Sequence, residues 1–279
     1  MSLAPDSSSE WTTLDRPGRL ASAVLAVRQM LPTLLLSVAA LIGWELVIRL
    51  GHVSTYIVPA PSAIAVALVA HAQDLAVATV ATAREVFVGF VLSLIVGIGL
   101  ALLIIRFRRF GQALYPLIVF FQTVPKVALA PIFILWFGYD LAPKALLILV
   151  IAFFPITLNM LAGLHSVEAG LVALMKSVGA SENEILFRVR VPHALPQLMG
   201  GVKIAITLCV IGAIVGEFAG ASAGLGYVIQ FASTQLETPV VFAALVVVSL
   251  LGSAFYYVSE LLERLIVPWA PQFQDGGRS

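Results

Sequence analysis

The chain has 279 residues, of which 60% are hydrophobic and only 11% are charged, and its formal net charge is +1. Because an ordinary soluble domain carries about 25% charged residues, most of the surface of this chain is expected to face lipid. The small net charge argues against a nucleic-acid partner, because phosphate neutralisation requires clustered Lys and Arg on one face. These numbers, with a mean hydropathy of +1.03, predict a polytopic membrane protein.

Six segments contain the ~20 mostly apolar residues that a membrane-spanning helix requires. They are residues 31–50, 86–105, 113–137, 145–164, 200–219 and 240–261. Residues 56–72 are also apolar, but the stretch is short and contains Pro59 and Pro61, which favours an interfacial or re-entrant helix. We therefore predict an all-α membrane protein with six transmembrane helices. The membrane domain is expected over residues 31–264, with polar tails at 1–30 and 265–279.

The distribution of Lys and Arg predicts the orientation of these spans, since short cytoplasmic loops are enriched in basic residues. Six spans place both termini on one side. On that side lie Arg16, Arg19, Arg28, Arg106, Arg108, Arg109, Lys176, Arg188, Arg190, Lys203, Arg264 and Arg278. The other side holds only Arg49, Arg84 and Lys144. Both termini, and the loop at 165–199 between spans four and five, are therefore expected to be cytoplasmic.

That loop has the pattern of a helical hairpin. One apolar stripe recurs at helical spacing between Val167 and Val178, and Gly179 then provides a helix stop. The stripe consists of Leu171, Leu174, Met175 and Val178. Two explanations fit a hairpin with exposed apolar and charged residues: docking to another protein, or lying on lipid headgroups.

The second helix of the hairpin carries its own start and stop signals. Ser181 and Glu184 form an S-x-x-E capping box, in which each side chain satisfies a backbone donor at a helix start. Pro192 and Pro196 are expected to end this helix.

The run "GASENEILFRVRVPHALPQLMGGVKIA", residues 179–205, resembles the cytoplasmic loop of ATP-binding-cassette importer permeases. The family pattern is EAA, three residues, Gly, nine residues, then I-x-L-P. Here Gly179 is followed after nine residues by Val189-Arg190-Val191-Pro192, whereas positions 173–175 read Ala-Leu-Met and lack the triplet. Glu168 lies five positions too early, so the role of the family's glutamate is not assigned to it.

Three further segments resemble permeases of the nitrate, sulfonate and taurine group. They read "IVPAPSAI" at 57–64, "FFQTVPKVALAPIFILWFG" at 120–138 and "GEFAGASAGLGYVI" at 216–229. With the loop, the resemblance covers roughly residues 40 to 265.

The resemblance implies a non-enzymatic membrane subunit in the inner membrane. Such permeases work as two copies, usually identical, with two cytoplasmic ATPase subunits and an extracytoplasmic binding protein. The hairpin would be the coupling helix that contacts the ATPase. The residues assigned to it are Gly179, Ala180, Ser181, Glu184, Arg188, Arg190 and Pro192. The sequence contains no G-x-x-x-x-G-K-[ST] phosphate loop, so ATP and Mg²⁺ are expected on the partner ATPase.

Polar residues at membrane depth suggest where the solute passes, because such groups are costly in lipid and usually face the bundle interior. Gln122 and Lys126 lie in span three among Pro116, Pro125 and Pro131, which predicts a broken helix. Lys126 has two interpretations. It attracts an anionic solute, or it reaches the interface or pairs with an acid such as Glu217.

Glu217 lies near the outer end of span five, ahead of Gly224 and Gly226. This glycine run is expected to break the helix; it either shapes an outer gate or forms a simple turn. In span one, Glu45 and Arg49 are spaced for an intrahelical ion pair.

Metal and catalytic sites have little support in the sequence, because the four histidines are scattered and no nucleophile-elbow motif occurs. The predicted function is that of a permease subunit for a small anion such as a sulfonate, taurine or nitrate. The alternatives are a pyrimidine-type vitamin precursor carried by the same family, or an ion-coupled secondary transporter.

Overall fold

The computed structural model describes residues 19–270, and side chains from residue 31 onward except at 108, 110, 112 and 115. The outer parts of the two predicted tails, 1–18 and 271–279, lie outside the described residues. Within 19–270 the secondary structure is helical, without strands. The helices are α1 (Arg19–Leu50), α2 (Pro61–Ala70), α3 (Ala72–Arg106), α4 (Arg108–Thr123), α5 (Ala130–Phe137), α6 (Leu141–His165), α7 (Ala169–Ser177), α8 (Glu182–Ile185), α9 (Val191–Gly220), α10 (Leu225–Thr234) and α11 (Thr238–Ile266).

Five stretches of the described chain are long and apolar enough to cross a membrane, and there are six if one bent pair counts as a span. The five are 31–50, 72–106, 141–165, 182–220 and 238–266. The bent pair consists of 116–123 and 126–137, which meet at 82°. The predicted all-α membrane fold is confirmed. Most helices extend beyond their predicted apolar segments, because apolarity marks only the part of a helix that faces lipid.

The chain divides into two compact units, 1–54 and 55–279. The first contains α1, in which Arg49 Nε donates to Glu45 Oε1 at 2.6 Å, as the spacing predicts. The second contains all the remaining helices. Its α2 has ten residues, too few to span a bilayer. It begins at Pro61, and proline is compatible with this position because the first N–H groups of a helix have no partner within the helix.

The core of the second unit is built by α3, α6 and α9, which pack closely along their lengths. Small residues make this approach possible. A Cβ at Gly97 would lie 2.8 Å from Ile156 Cγ2, and one at Gly89 would overlap Ile148. The lone cysteine, Cys209, is buried in the same core.

The prediction that Pro192 and Pro196 end the second hairpin helix is wrong. The chain continues from α8 through a π-helical turn, Leu186–Arg190, directly into α9. Pro192 occupies the first turn of α9, where an N–H has no intrahelical partner, and proline is therefore tolerated there. The same residue type that stops one helix is compatible with the start of the next.

Candidate functional site

The hairpin between α6 and α9 turns at Gly179. Gly179 N donates to Lys176 O and Ala180 N donates to Met175 O, both at 3.0 Å, which is the Schellman arrangement that closes a helix. The φ of Gly179 is +83°, a conformation that strongly favours glycine. Its predicted role as the helix stop is therefore seen in the backbone itself.

The capping box forms as its spacing predicts. Ser181 N donates to Glu184 Oε2 at 2.9 Å, and Glu184 N donates to Ser181 Oγ at 3.3 Å. The Ser181 hydroxyl also donates to Glu184 Oε2 at 2.9 Å. The bonds that the carboxylate accepts, first from the backbone N–H of Ser181 and then from its hydroxyl, favour the ionised form and lower the pKa of the Glu184 carboxyl. The box fixes the angle at which the chain leaves the turn.

Two contacts that the sequence analysis missed stiffen the hairpin. Lys176 Nζ lies 2.7 Å from Glu182 Oε1 and joins α7 to α8 across the turn. Arg106 Nε donates to Asn183 Oδ1 at 3.2 Å, which ties the hairpin to the end of α3. Since Arg106 and Asn183 are far apart in sequence, local spacing gives no sign of their contact.

The hairpin exposes several large apolar side chains. Leu174 is 60% exposed, Val178 72% and Phe187 60%, whereas Ile185 and Leu186 are buried against the helix bundle. Leu171, also on the predicted stripe, is exposed as well. This part of the chain therefore presents large side chains that no described residue covers.

The two arginines of the hairpin differ in setting. The Arg188 side chain is 74% exposed, and its Nη1 lies 3.8 Å from Glu184 Oε1, a weak contact. Arg190 is half-buried in the π-helical turn, and its Nε has no hydrogen-bond partner among the described residues. Ala180 is half-buried beside the turn, and Pro192 lies in the first turn of α9.

Span three is broken, as its prolines predict, but only at Pro125. Pro116 lies inside α4, and Pro131 occupies the first turn of α5, so neither interrupts a helix. Beside the break is a cavity of about 330 Å³. It is lined by Ile118, Phe121, Gln122, Val124, Lys126, Leu129, Val150, Phe153 and Phe154. Lys126 is half-buried and forms no ion pair with any residue that the structure describes.

Glu217 does not pair with Lys126. Its carboxylate instead accepts hydrogen bonds from Thr82 Oγ1 at 2.6 Å and from Gly226 N at 2.5 Å. Leu225 N donates to the same threonine hydroxyl at 2.8 Å. Glu217 and Thr82 are fully buried, so this set of bonds holds the start of α10 against α3 and α9.

An ion pair adjoins these bonds. Lys144 of α6 is paired with Glu85 of α3, and both residues are buried. Glu85 lies one helical turn from Thr82, the residue that donates to Glu217. Two buried carboxyls and one ammonium thus meet where α3, α6, α9 and α10 come together.

The predicted glycine break after span five is present. α9 ends at Gly220, and Gly224, with φ +117°, precedes α10. A Cβ at Gly226 would lie 2.8 Å from Glu217 Oε2, and one at Gly224 would overlap the same carboxylate. These two glycines therefore leave the space that the Glu217 carboxylate fills.

Sequence reasoning identified Glu217, Gly224 and Gly226 but missed Thr82, Glu85 and Lys144. A usable sign was present, since Thr82 and Glu85 are polar, three residues apart and next to an apolar run. The structure does not bring Gln122 or Lys126 into this cluster. No group of three or more possible metal ligands occurs among the described residues.

Comparison with known proteins identifies the class of this fold. A family model described as "Binding-protein-dependent transport system inner membrane component" matches residues 89–268. The chain belongs to this family. It is a permease of the ATP-binding-cassette importer type, and family members are membrane components rather than enzymes.

Individual relatives agree with this assignment. The permease is 37% identical over 242 residues to the formylaminopyrimidine transport permease protein ThiX of Halalkalibacterium halodurans, covering 86% of this chain and 96% of the relative. It is 31% identical over 159 residues to the taurine transport system permease protein TauC of Escherichia coli, covering 57% of this chain and 58% of that one.

A solved structure supports the fold. The MetNI methionine ABC transporter, crystallised in inward-facing conformations, matches with a TM-score of 0.56 and 24% identity. The match covers 67% of this chain and 92% of the transporter chain.

Proposed function

We propose that the permease works as a homodimer with two cytoplasmic ATPase subunits and takes its solute from an extracytoplasmic binding protein. The family description itself names dependence on a binding protein. The observation that carries the proposal is the hairpin, which exposes Leu174, Val178 and Phe187 on a preformed, capped turn. A lipid-facing loop would not require such a fixed turn, whereas a part that transmits force between subunits would.

The ATPase subunits would supply ATP and Mg²⁺, and closing of the two subunits would move the docked hairpin as a body. α9, which begins where the hairpin ends, would carry that displacement into the membrane. The bias between inward- and outward-facing states would thus come from nucleotide on the partner. Binding-protein dependence argues against the ion-coupled secondary transporter.

The test is uptake in proteoliposomes that contain the permease, its ATPase subunits and the binding protein. We expect uptake to require ATP on the side of the membrane where the ATPase subunits lie. Collapse of ion gradients should not affect this uptake. Uptake driven by a proton or sodium gradient without ATP would contradict the proposal.

For the solute, we propose a small anion, because Lys126, which pairs with no described residue, lies beside the broken span and lines its cavity. The bent helix frees backbone groups at membrane depth, which proteins tolerate beside an aqueous path. Lys126 would then attract the anion. Gln122, which is exposed at the same break, would line the path.

A second candidate is a pyrimidine-type precursor, and the identity to the formylaminopyrimidine permease favours it. The two are separated by measuring which compound the purified binding protein binds, and by uptake with Lys126→Met. Anion transport predicts that this variant loses most uptake. Wild-type uptake by Lys126→Met would exclude attraction by the lysine and favour the uncharged solute.

A further inference from the structure

The helix α10 is short, and residues with positive φ, a conformation rare for residues with side chains, lie on both sides of it. Before it, Gly220 and Gly224 have φ of +156° and +117°, on either side of three small residues. After it, Leu236 has φ +59°. Leu236 N donates to Ser233 O at 3.2 Å and Glu237 N donates to Ala232 O at 2.9 Å, so this second turn is closed by hydrogen bonds and α10 packs on α11. The glycine turn is therefore the joint at which α10, together with α11, can tilt.

The N-terminus of α10 is held to the bundle by side chains from other helices. Thr82 Oγ1 bonds both to Glu217 and to the backbone of Leu225, and Glu217 bonds to the backbone of Gly226. Glu85, which is paired with Lys144 of α6, lies one helical turn from Thr82 on α3. We call this set, Thr82, Glu85, Lys144 and Glu217 with the amides of Leu225 and Gly226, the α10 latch.

The latch lies at the end of the permease that is remote from the hairpin. α9 has 30 residues, the hairpin joins its first residue, and Glu217 is three positions from its last. At ~1.5 Å per residue the separation is about 40 Å, more than the thickness of the hydrocarbon core. If the hairpin meets the ATPase, the latch is at the side where solute arrives.

We propose that the α10 latch closes the solute side of the permease and parts in each transport cycle. This inference rests on the proposed function. A purely structural cluster would need no hinged segment, whereas a gate needs one segment that swings and few bonds that break. The glycine turn before α10 and the two side chains that bond to its first amides, Thr82 and Glu217, meet this requirement.

The test is ATP hydrolysis by the reconstituted transporter without binding protein, together with solute taken up per ATP when binding protein is present. Thr82→Val removes the hydroxyl that bonds to Glu217 and Leu225 while keeping the side-chain shape. Thr157→Val is the matched control. Thr157 is also fully buried on a span, and its hydroxyl bonds to Gly97 O at 3.1 Å and Phe153 O at 3.0 Å, away from α10.

A weakened latch should open without the binding protein. Thr82→Val should therefore raise binding-protein-independent hydrolysis about tenfold per assembled complex, which is the effect of losing one hydrogen bond to a charged group. Solute per ATP should fall. Thr157→Val should leave both hydrolysis without binding protein and solute per ATP as in the wild type. Thr82→Ser, which restores a hydroxyl, should return both quantities to their wild-type values. If Thr82→Val does not assemble, Glu217→Gln is measured instead, with the same rise expected.

Two results would overturn the latch. In one, hydrolysis and uptake fall together in Thr82→Val, as they would for a stabilising cluster. In the other, Thr82→Val and Thr157→Val change the ratios equally or not at all. Failure of the proposed function is distinct, because wild-type vesicles would then show no ATP-dependent uptake.

Discussion

The buried pair of Glu85 and Lys144 has an energetic role that depends on both partners. Removing one member of a buried ion pair leaves the other uncompensated, which costs about 3–5 kcal/mol. Lys144→Met should therefore destabilise the permease by this amount, since Glu85 and Glu217 would remain buried without a cation. Thermal unfolding of the protein in detergent measures the loss.

The double variant Glu85→Gln with Lys144→Met removes both charges and should recover most of that stability. Arg264→Met is the control, since its partner Glu260 forms an exposed i,i+4 pair that contributes less than about 1 kcal/mol. Additive losses in the double variant would show that the pair does not act as a unit.

A side chain at Gly179 should weaken the turn. No atom blocks a Cβ there, so the penalty is conformational, about 1–2 kcal/mol for the left-handed region. Gly179→Ala should lower the affinity of the permease for its ATPase about 5- to 30-fold, as measured by binding in nanodiscs.

Gly170→Ala is the matched control for the turn, because Gly170 lies in α7 with open space around its Cα and no positive φ. It should bind as the wild type does. Equal affinity of the two variants would mean that the Schellman turn does not set the docking geometry.

At the scale of elements, the hairpin separates folding from docking. Arg188 is exposed and its contact with Glu184 is long. Charge reversal at Arg188 should therefore leave the free energy of unfolding within about 1 kcal/mol of the wild-type value. If the hairpin docks on an ATPase, Arg188→Glu should still abolish most uptake while ATP hydrolysis continues. The ratio of solute moved to ATP hydrolysed measures this uncoupling.

Arg264→Glu, an equal change on an exposed helix outside the hairpin, is the control for non-specific charge effects. Normal uptake by Arg188→Glu at equal expression would count against docking at this position.

The hairpin also shows which parts of the structure were readable from sequence. The Schellman turn at Gly179 and the box of Ser181 and Glu184 involve residues within five positions of one another, so spacing alone predicts them. The Pro192 stop was wrong because proline both ends helices and begins them, and spacing does not say which. The contact of Thr82 with Glu217 joins residues 135 positions apart, and only tertiary packing brings them together.

At the scale of the whole molecule, α9 connects the hairpin to the far end of the helix bundle. It starts at the hairpin and ends beside the α10 latch, as a single helix of 30 residues or about 45 Å. Displacement of one end of a helix that packs along α6 moves the other end with little bending. In the proposed transporter, the orientation of α9 therefore determines which end meets the ATPase and which meets the solute.

That orientation can be measured because Cys209 is the single cysteine and is buried. In a Cys209→Ala background, Ser177→Cys places a thiol on the hairpin and Gln235→Cys places one in the loop after α10, both at exposed positions. From the excess of Lys and Arg on the hairpin side, we expect a membrane-impermeant maleimide to label Gln235→Cys in intact spheroplasts. Ser177→Cys should react only after permeabilisation. The reverse pattern would show that the permease has the opposite orientation in the membrane. Labelling of both sites in intact cells would contradict a bilayer crossing by α9.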